Sequence, residues 1–371
     1  AKANVRRARA PSKLAAYQFR SPKAVLRRLP LEPAQDLRCQ RRKQRNGRPP
    51  LQSSAADRPR SSPSAWLLTL RNISRCAIYS DADNLCRIRR NGTYVLMAIA
   101  ITPLSDALAA EIGGVDLTEP LNEETAQSIR RAWLEHLVVV FRGRELSQED
   151  HERYCHAFGE FERVKSGRSK DDENPHVMYV SNITDEGFKT TLQDGEMWFH
   201  SDQCYYEQPV SATTLYAEEV PSRGGNTRFA NCYAAYEDLP EDLKRRIDGK
   251  RALNAYDYGN QMQIKDRTRP ADAPQFVHPV VRTHPETGRK ALYINRLMTE
   301  HIVDMNRDES NKLLAALYDH IEQSRFVYEH VWRPGDLVMW DNRCTLHART
   351  EFDPSERRKL RRMTIKGDRP I

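Results

Sequence analysis

Positive charge is concentrated in the first 96 residues of this 371-residue chain, and this segregation limits where a folded domain can lie. Residues 1–96 contain 22 Lys and Arg but only 5 Asp and Glu, whereas residues 97–371 contain 37 and 46. The first segment also has eight prolines, no histidine, and basic or serine-rich tracts that cannot build a core. We therefore predict a largely disordered basic extension over 1–96 and a folded domain over 97–371.

The first methionine of the chain, Met97, stands where the composition changes. One hypothesis is that the native protein starts at Met97 and that 1–96 is an upstream extension, which the intact mass of the native protein would test. An Arg- and Ser-rich, acid-poor leader is also typical of transit peptides, and a basic tail can bind nucleic acid. Because 97–371 is acidic, we expect no nucleic-acid partner for it.

Apolar runs and cysteines bear on the compartment. The sequence has no run of eighteen apolar residues and no apolar block behind a basic start, so we expect neither a membrane span nor secretion. Its seven cysteines are scattered without a C-x-x-C pair, which favours reduced thiols in a cytoplasmic protein. No G-x-S-x-G elbow, Walker loop or G-x-G-x-x-G occurs to support other enzyme classes.

Hydrophobic periodicity in 97–371 predicts a mixed α and β domain. An amphipathic helix over 125–136 leads into an apolar strand, Ser147 caps a second helix that ends near residue 158, and a third helix covers 308–323. Strands are predicted at 137–141, 177–180, 213–217, 291–294, 337–340 and 360–365. Many short strands with a few outer helices favour a β sandwich or barrel core.

Three H-x-[DE] triplets compete as the source of a metal site, and two of them fit poorly. His320 and Glu322 fall in the predicted third helix, where residues two apart point about 200° around the axis and cannot chelate one ion. We interpret them as a helix-surface pair. His284 and Glu286 precede Thr-Gly at the expected tip of a hairpin, which predicts a solvated turn.

The third triplet, His200 and Asp202, has strand-like neighbours, and residues two apart on a strand project from one face. Fe(II) held for oxygen chemistry requires two histidines and one carboxylate, with open positions opposite them. His347, which follows two short strands and a polar break, is the candidate second histidine, although a core histidine is the alternative. A zinc hydrolase or isomerase, or an inactive ligand-binding protein, could use the same three side chains.

A basic segment downstream of His347 carries candidate anion-binding residues. If 355–365 is a strand, Arg358 and Arg362 share one face. A dicarboxylate cosubstrate needs a fixed guanidinium, because the planar fork binds a carboxylate at two points. A plain basic edge strand is the alternative interpretation.

Taken together, residues 97–371 resemble the taurine/chlorophenoxyacetate dioxygenase family of Fe(II)/2-oxoglutarate enzymes. The matching motifs, in chain order, are Ile112-Gly113-Gly114-Val115-Asp116-Leu117, Val140-Phe141-Arg142-Gly143, Phe158-Gly159-Glu160, Trp198-Phe199-His200-Ser201-Asp202, Pro221-Ser222-Arg223-Gly224-Gly225-Asn226-Thr227, His278-Pro279-Val280-Val281-Arg282-Thr283-His284-Pro285 and Trp340-Asp341-Asn342-Arg343-Cys344-Thr345-Leu346-His347. The resemblance implies an α+β fold with a double-stranded β-helix (jelly roll, cupin-like) core and flanking helices.

The resemblance also implies the cofactor, the cosubstrates and their contacts. Fe(II) would be bound by His200, Asp202 and His347, and Thr227 with Arg358 would hold the distal carboxylate of 2-oxoglutarate. Arg362 resembles the family arginine that pairs with the acidic group of the substrate. The implied reaction consumes 2-oxoglutarate and O2, releases succinate and CO2, and hydroxylates a small anionic molecule.

Two departures bear on the substrate. Taurine-specific members have a His and a Tyr soon after Phe-Gly-Glu and an Asn shortly before the H-x-D histidine, whereas this chain has neither feature in 161–167 or 195–198. We therefore favour a carboxylate of the aryloxy-alkanoate type over taurine. Lys165 is a candidate second positive contact, with an exposed lysine as the alternative, and we expect a homo-oligomer.

Overall fold

A computed structural model describes residues 85–90, 93–164, 173–183, 197–256 and 272–371. Its first elements, with strands numbered in chain order, are the antiparallel hairpin β1 (Leu85–Arg90) and β2 (Thr93–Ala98), in which Cys86 pairs with Met97. This hairpin crosses the expected boundary at Met97. Residues 1–84 lie outside the described residues, so the division into 1–96 and 97–371 and the proposed start both stay predictions.

The larger of two main sheets has seven strands. Their order across the sheet is β3 (Ala100–Pro103), β4 (Ala110–Gly113), β5 (Val138–Phe141), β16 (Leu337–Asp341), β8 (Ala212–Glu219), β18 (Lys359–Ile365) and β6 (Met178–Ser181). Neighbours are antiparallel except for β4 and β5. Every residue of β5 and β16 is buried, because both faces of these central strands are covered.

The smaller main sheet has four strands and carries most of the candidate metal ligands. Their order is β15 (Val327–His330), β9 (Thr227–Asn231), β17 (Thr345–Arg349) and β7 (Met197–His200). Phe229 of this sheet packs against Trp340 of the larger one, with ring centroids 5.3 Å apart, and both belong to one buried cluster. The two sheets therefore pack face to face over a shared core.

Two further small sheets complete the described strands. One orders β11 (Gln275–Pro279), β10 (Arg251–Ala255) and β14 (Thr299–Ile302), and the other is the hairpin of β12 (Val281–Thr283) and β13 (Lys290–Leu292). The helices are α1 (Glu123–His136), α2 (Gln148–His156), α3 (Cys232–Glu237), α4 (Glu241–Ile247) and α5 (Arg307–Ile321), followed by a 3-10 turn at Ser324–Phe326. Ile129 and Trp133 of α1 pack on the outer face of the larger sheet.

The three predicted helices are present, each end lying within two residues of its expected position. The expected cap of α2 is a capping box in which Ser147 and Asp150 each accept a backbone N–H of the other. The predicted strands are present as β5, β6, β8, β13, β16 and β18, so the mixed α and β composition is confirmed. No helix in the described part of the chain is long and apolar enough to cross a membrane.

Candidate active site

Strand pairing in the smaller sheet brings the two candidate histidines together. His200, the last residue of β7, lies directly opposite His347 of β17, and their ring centroids are 4.1 Å apart. Strand alternation had predicted Asp202 on the same strand as His200, but Asp202 lies in the turn that follows β7. Its carboxylate nevertheless faces both rings, with Oδ1 4.0 Å from His200 Nε2 and Oδ2 3.9 Å from His347 Nε2.

The donor set of this cluster fits a divalent metal of the Fe(II) type. One ligand atom from each of His200, Asp202 and His347 lies within 4.8 Å of the other two, and all three side chains are largely buried. His200 Nδ1 donates to the Trp198 carbonyl oxygen (2.9 Å), which leaves the Nε2 lone pair facing Asp202. Two imidazole nitrogens and one carboxylate are the ligands that non-haem iron oxygenases use.

Electrostatics favour the protonation states that metal ligation needs. Burial lowers the pKa of His200, and burial together with neighbouring His200 lowers that of His347 well below its ordinary value, so both imidazoles are neutral near pH 7. Burial opposes ionisation of Asp202, but the charge of Arg362, the two neighbouring histidines and the Thr213 hydrogen bond together outweigh it and lower the pKa of the carboxyl group. Neutral imidazoles and an ionised carboxylate bind a metal without first losing protons.

A cavity of about 370 Å³ opens from these three side chains. One part of its wall is cationic and contains Arg349, Arg358 and Arg362. Another part is apolar and aromatic, and consists of Met178, Val180, Met197, Tyr205, Tyr206, Leu215 and Tyr256. The cavity therefore suits a ligand with an anionic group and an apolar body.

Arg358 lies just before β18 and is 2% exposed. Its Nε and Nη2 donate to the Gly225 carbonyl oxygen (3.2 and 3.1 Å), while Nη1 has no hydrogen-bond partner among the residues that the structure describes. A Cβ on Gly225 would lie 3.1 Å from Arg358 Nε, and the φ of Gly225 is +65°, so glycine permits this approach. Burial and the nearby charge of Arg349 lower the pKa of Arg358 to about 9.

The remaining predicted contacts also lie at the cavity, with one exception. Thr227 lines it, and its hydroxyl oxygen accepts from Trp332 Nε1 (3.0 Å), which leaves the hydroxyl hydrogen to donate to a ligand. Arg362 lines it too, but its Nη2 pairs with Asp202 Oδ1 at 2.8 Å. Lys165 lies outside the described residues, so its role stays a prediction.

Arg349 and the tyrosines of the cavity were not predicted from the sequence. Arg349 is two residues beyond His347 on β17, so strand alternation from that histidine could have indicated it. Tyr205 lies three residues after Asp202 in the sequence. Tyr256 directly follows β10, a strand of another sheet, and no local sequence pattern indicates that it lines the cavity.

The other two triplets do not join this site. The predicted turn lies between β12 and β13 with Glu286 exposed, but the expected exposure of His284 and His320 was wrong. His320 is buried, and its Nε2 donates to the Ala235 carbonyl oxygen (2.9 Å), because α5 packs this face inward. His284 is 1% exposed rather than solvated, because its Nε2 lies 3.1 Å from Asp341 Oδ2 while its Nδ1 accepts two backbone N–H groups of the turn.

His284, Asp341 and Cys344 are also close enough to hold a metal, but their bonding shows a different role. Both oxygens of Asp341 accept from Arg343, with Nε at 2.8 Å from Oδ1 and Nη2 at 2.7 Å from Oδ2. Arg343 Nη1 also donates to Glu286 (2.6 Å). The cluster is a buried ion-pair network that joins the β12–β13 turn to the end of β16.

Removing Arg343 from this network should destabilise the fold. Arg343→Met leaves Asp341 as a buried carboxylate without its main partner, and such a loss costs roughly 3–5 kcal/mol. Arg130→Met is the matched control, because Arg130 pairs with the same Glu286 at a 39% exposed position and should cost no more than about 1 kcal/mol. Chemical denaturation measures both, and equal small losses would refute a buried network.

Comparison with known proteins agrees with this geometry. The family model described as "Taurine catabolism dioxygenase TauD, TfdA family" matches residues 100–364. Pentalenolactone F synthase of Streptomyces arenae is 34% identical over 287 residues, covering 73% of this chain and 96% of its own. The alpha-ketoglutarate-dependent 2,4-dichlorophenoxyacetate dioxygenase of Cupriavidus pinatubonensis is 35% identical over 291 residues, covering 73% and 99%.

A solved structure, AAD-2 in complex with Mn(II) and N-oxalylglycine, superposes with a TM-score of 0.63 at 30% identity, covering 74% of this chain and 99% of that one. The chain belongs to the TauD/TfdA family. It is a 2-oxoglutarate-dependent dioxygenase, and the family uses Fe(II), 2-oxoglutarate and O2. This membership selects oxygen chemistry over the zinc and ligand-binding alternatives.

Proposed function

We propose that this dioxygenase hydroxylates a small carboxylate of the aryloxy-alkanoate type, with conversion of 2-oxoglutarate to succinate and CO2. The observation that carries the proposal is the cavity itself, in which buried arginines and apolar or aromatic side chains flank one His–Asp–His cluster. The relative that acts on 2,4-dichlorophenoxyacetate, by its name, supports the same substrate class. The packing of two antiparallel-rich sheets supports a double-stranded β-helix, or jelly roll, as the core.

In this proposal His200, Asp202 and His347 hold Fe(II). Bound iron supplies the O2 activation and the oxidising step that no amino-acid side chain can perform. Thr227 and Arg358 bind the distal carboxylate of 2-oxoglutarate, because one offers a hydroxyl hydrogen and the other a buried guanidinium at the cavity wall.

Arg362 orients the substrate by its carboxylate. Its side chain is 15% exposed and lies on the cavity wall beside Asp202, so a substrate anion that contacts it would be held next to the metal ligands. The apolar body of the substrate then packs against Met178, Val180 and Leu215 and the neighbouring tyrosines, which exclude water from the reacting carbon. A sulfonate as small as taurine would leave most of this apolar wall uncovered.

The test is a substrate screen on the purified protein with Fe2+, 2-oxoglutarate and O2, with succinate release as the readout. Aryloxyacetates and aryloxypropionates should stimulate release most, alkyl sulfates less and taurine least. The matched control is each reaction without Fe2+, which should give no release. Stimulation led by taurine or by a sulfate ester would overturn the substrate class, whereas no release with any compound would overturn the function.

A further inference from the structure

A chain of buried hydrogen bonds connects Asp202 to the turn between β16 and β17. Thr213 of β8 donates its hydroxyl hydrogen to Asp202 Oδ2 (2.6 Å). The same hydroxyl oxygen accepts from Asn342 Nδ2 (2.8 Å), and Asn342 Oδ1 accepts from Trp340 Nε1 (3.0 Å). All four residues are at most 2% exposed, so water does not compete for these bonds.

The direction of each bond in this chain is fixed by chemistry. The indole N–H of Trp340 can only donate, so the amide oxygen of Asn342 must face it and the amide nitrogen must face Thr213. The Thr213 hydroxyl accepts from that nitrogen, which directs its single hydrogen to the Asp202 carboxylate. No rotamer or amide flip would keep all three bonds.

The backbone of Asn342 strengthens this arrangement. Its N–H donates to the Ser211 carbonyl oxygen (2.9 Å), and its own carbonyl oxygen accepts from the Ser201 hydroxyl (2.9 Å). One residue thus ties the segment that contains Asp202 to the start of β8. A buried amide that has partners on both its oxygen and its nitrogen has one well-defined orientation.

We propose that Asn342 is a positioning residue that, acting through the Thr213 hydroxyl, holds the Asp202 carboxylate in the orientation that metal binding requires. The inference rests on the metal site proposed above. The torsion that turns a carboxylate about its last bond is soft, so orientation depends on the partners of each oxygen. Here Thr213 contacts Oδ2 and Arg362 contacts Oδ1 at 2.8 Å. The Thr213 hydroxyl therefore directs one oxygen of the carboxylate and Arg362 the other.

The experiment measures Mn2+ affinity by calorimetry, in the absence of 2-oxoglutarate and substrate. Thr213→Val keeps the shape of the side chain but removes the hydroxyl, and should weaken Mn2+ binding about 10- to 100-fold, as expected for loss of an outer partner of a metal ligand. Thr213→Ser restores the hydroxyl and should restore affinity. Asn342→Ala should weaken binding in the wild-type background but add no further loss to Thr213→Val.

The double-mutant comparison separates positioning from folding, because a purely structural Asn342 would lower the unfolding temperature in both backgrounds and leave Mn2+ affinity unchanged. Unchanged affinity in Thr213→Val, or additive losses in the double variant, would overturn the inference. His200→Ala distinguishes this failure from failure of the site itself. If His200→Ala still binds Mn2+ as the wild type does, the proposed metal site is wrong. If only His200→Ala loses binding, the metal site stands and the positioning role of Asn342 and Thr213 is wrong.

Discussion

His200→Ala and Asp202→Ala should each abolish iron-dependent succinate release, with Mn2+ affinity falling by more than the roughly 100-fold that loss of an outer partner can cost. Each removes one of three donors that lie within 4.8 Å of each other, and the two that remain cannot hold the ion on one face. Asp202→Ala also leaves Arg362 facing the two imidazoles without its carboxylate partner. Calorimetry with Mn2+ and succinate release measure the two effects separately.

His156→Ala is the matched control for the histidine variant. His156 is an exposed residue at the end of α2, remote in sequence from both ligand strands, and its loss should change neither affinity nor turnover. Thermal unfolding of every variant shows whether the fold survives. Folded His200→Ala protein with full activity would contradict the assignment of the metal site.

Sequence periodicity identified the central strands of the larger sheet because they are apolar throughout. β5 and β16 are buried on both faces, and their unbroken Val, Leu and Met runs have few other interpretations. Strands β9 and β15 were not predicted, because charged and polar residues interrupt the apolar pattern of both segments. Their stability comes from pairing with each other and with β17, which is information that a local window does not contain.

The choice among the three triplets used the difference between helix and strand periodicities, which is a local property, and the structure brings His200, Asp202 and His347 together. The environment of each histidine, in contrast, depends on residues that are distant in the sequence. His284 was expected in solvent because its neighbours form a turn, yet Asp341, 57 residues later, makes it a buried partner. Likewise the Asp202 carboxylate is directed by Thr213 and Asn342, which belong to two other segments of the chain. Spacing thus indicated the candidate ligands, whereas their orientation depends on tertiary contacts.

Arg358→Met should raise the KM for 2-oxoglutarate by on the order of 30-fold or more while changing Mn2+ affinity little. Loss of one partner from a buried, hydrogen-bonded charge pair costs roughly 2–5 kcal/mol, and each 1.4 kcal/mol is tenfold in affinity. Arg357→Met is the matched control, since the adjacent Arg357 is 46% exposed and pairs with Glu219 outside the cavity. Succinate release at varied 2-oxoglutarate concentrations measures the KM of each variant, and calorimetry measures its Mn2+ affinity.

The pH dependence of the same KM provides an independent check on Arg358. Burial and the charge of Arg349 disfavour the protonated guanidinium and lower its pKa to about 9, while a bound carboxylate would favour that form. Below pH 9 the group is charged, so KM should be flat; above it, KM should rise as the cation is lost. Arg358→Met should abolish this rise and Arg357→Met should retain it. If both arginine variants behaved alike, the distal carboxylate would be bound elsewhere in the cavity, with Arg349 as the next residue to replace. A constant KM through pH 10 in the wild type would instead show that Arg358 stays protonated over that range.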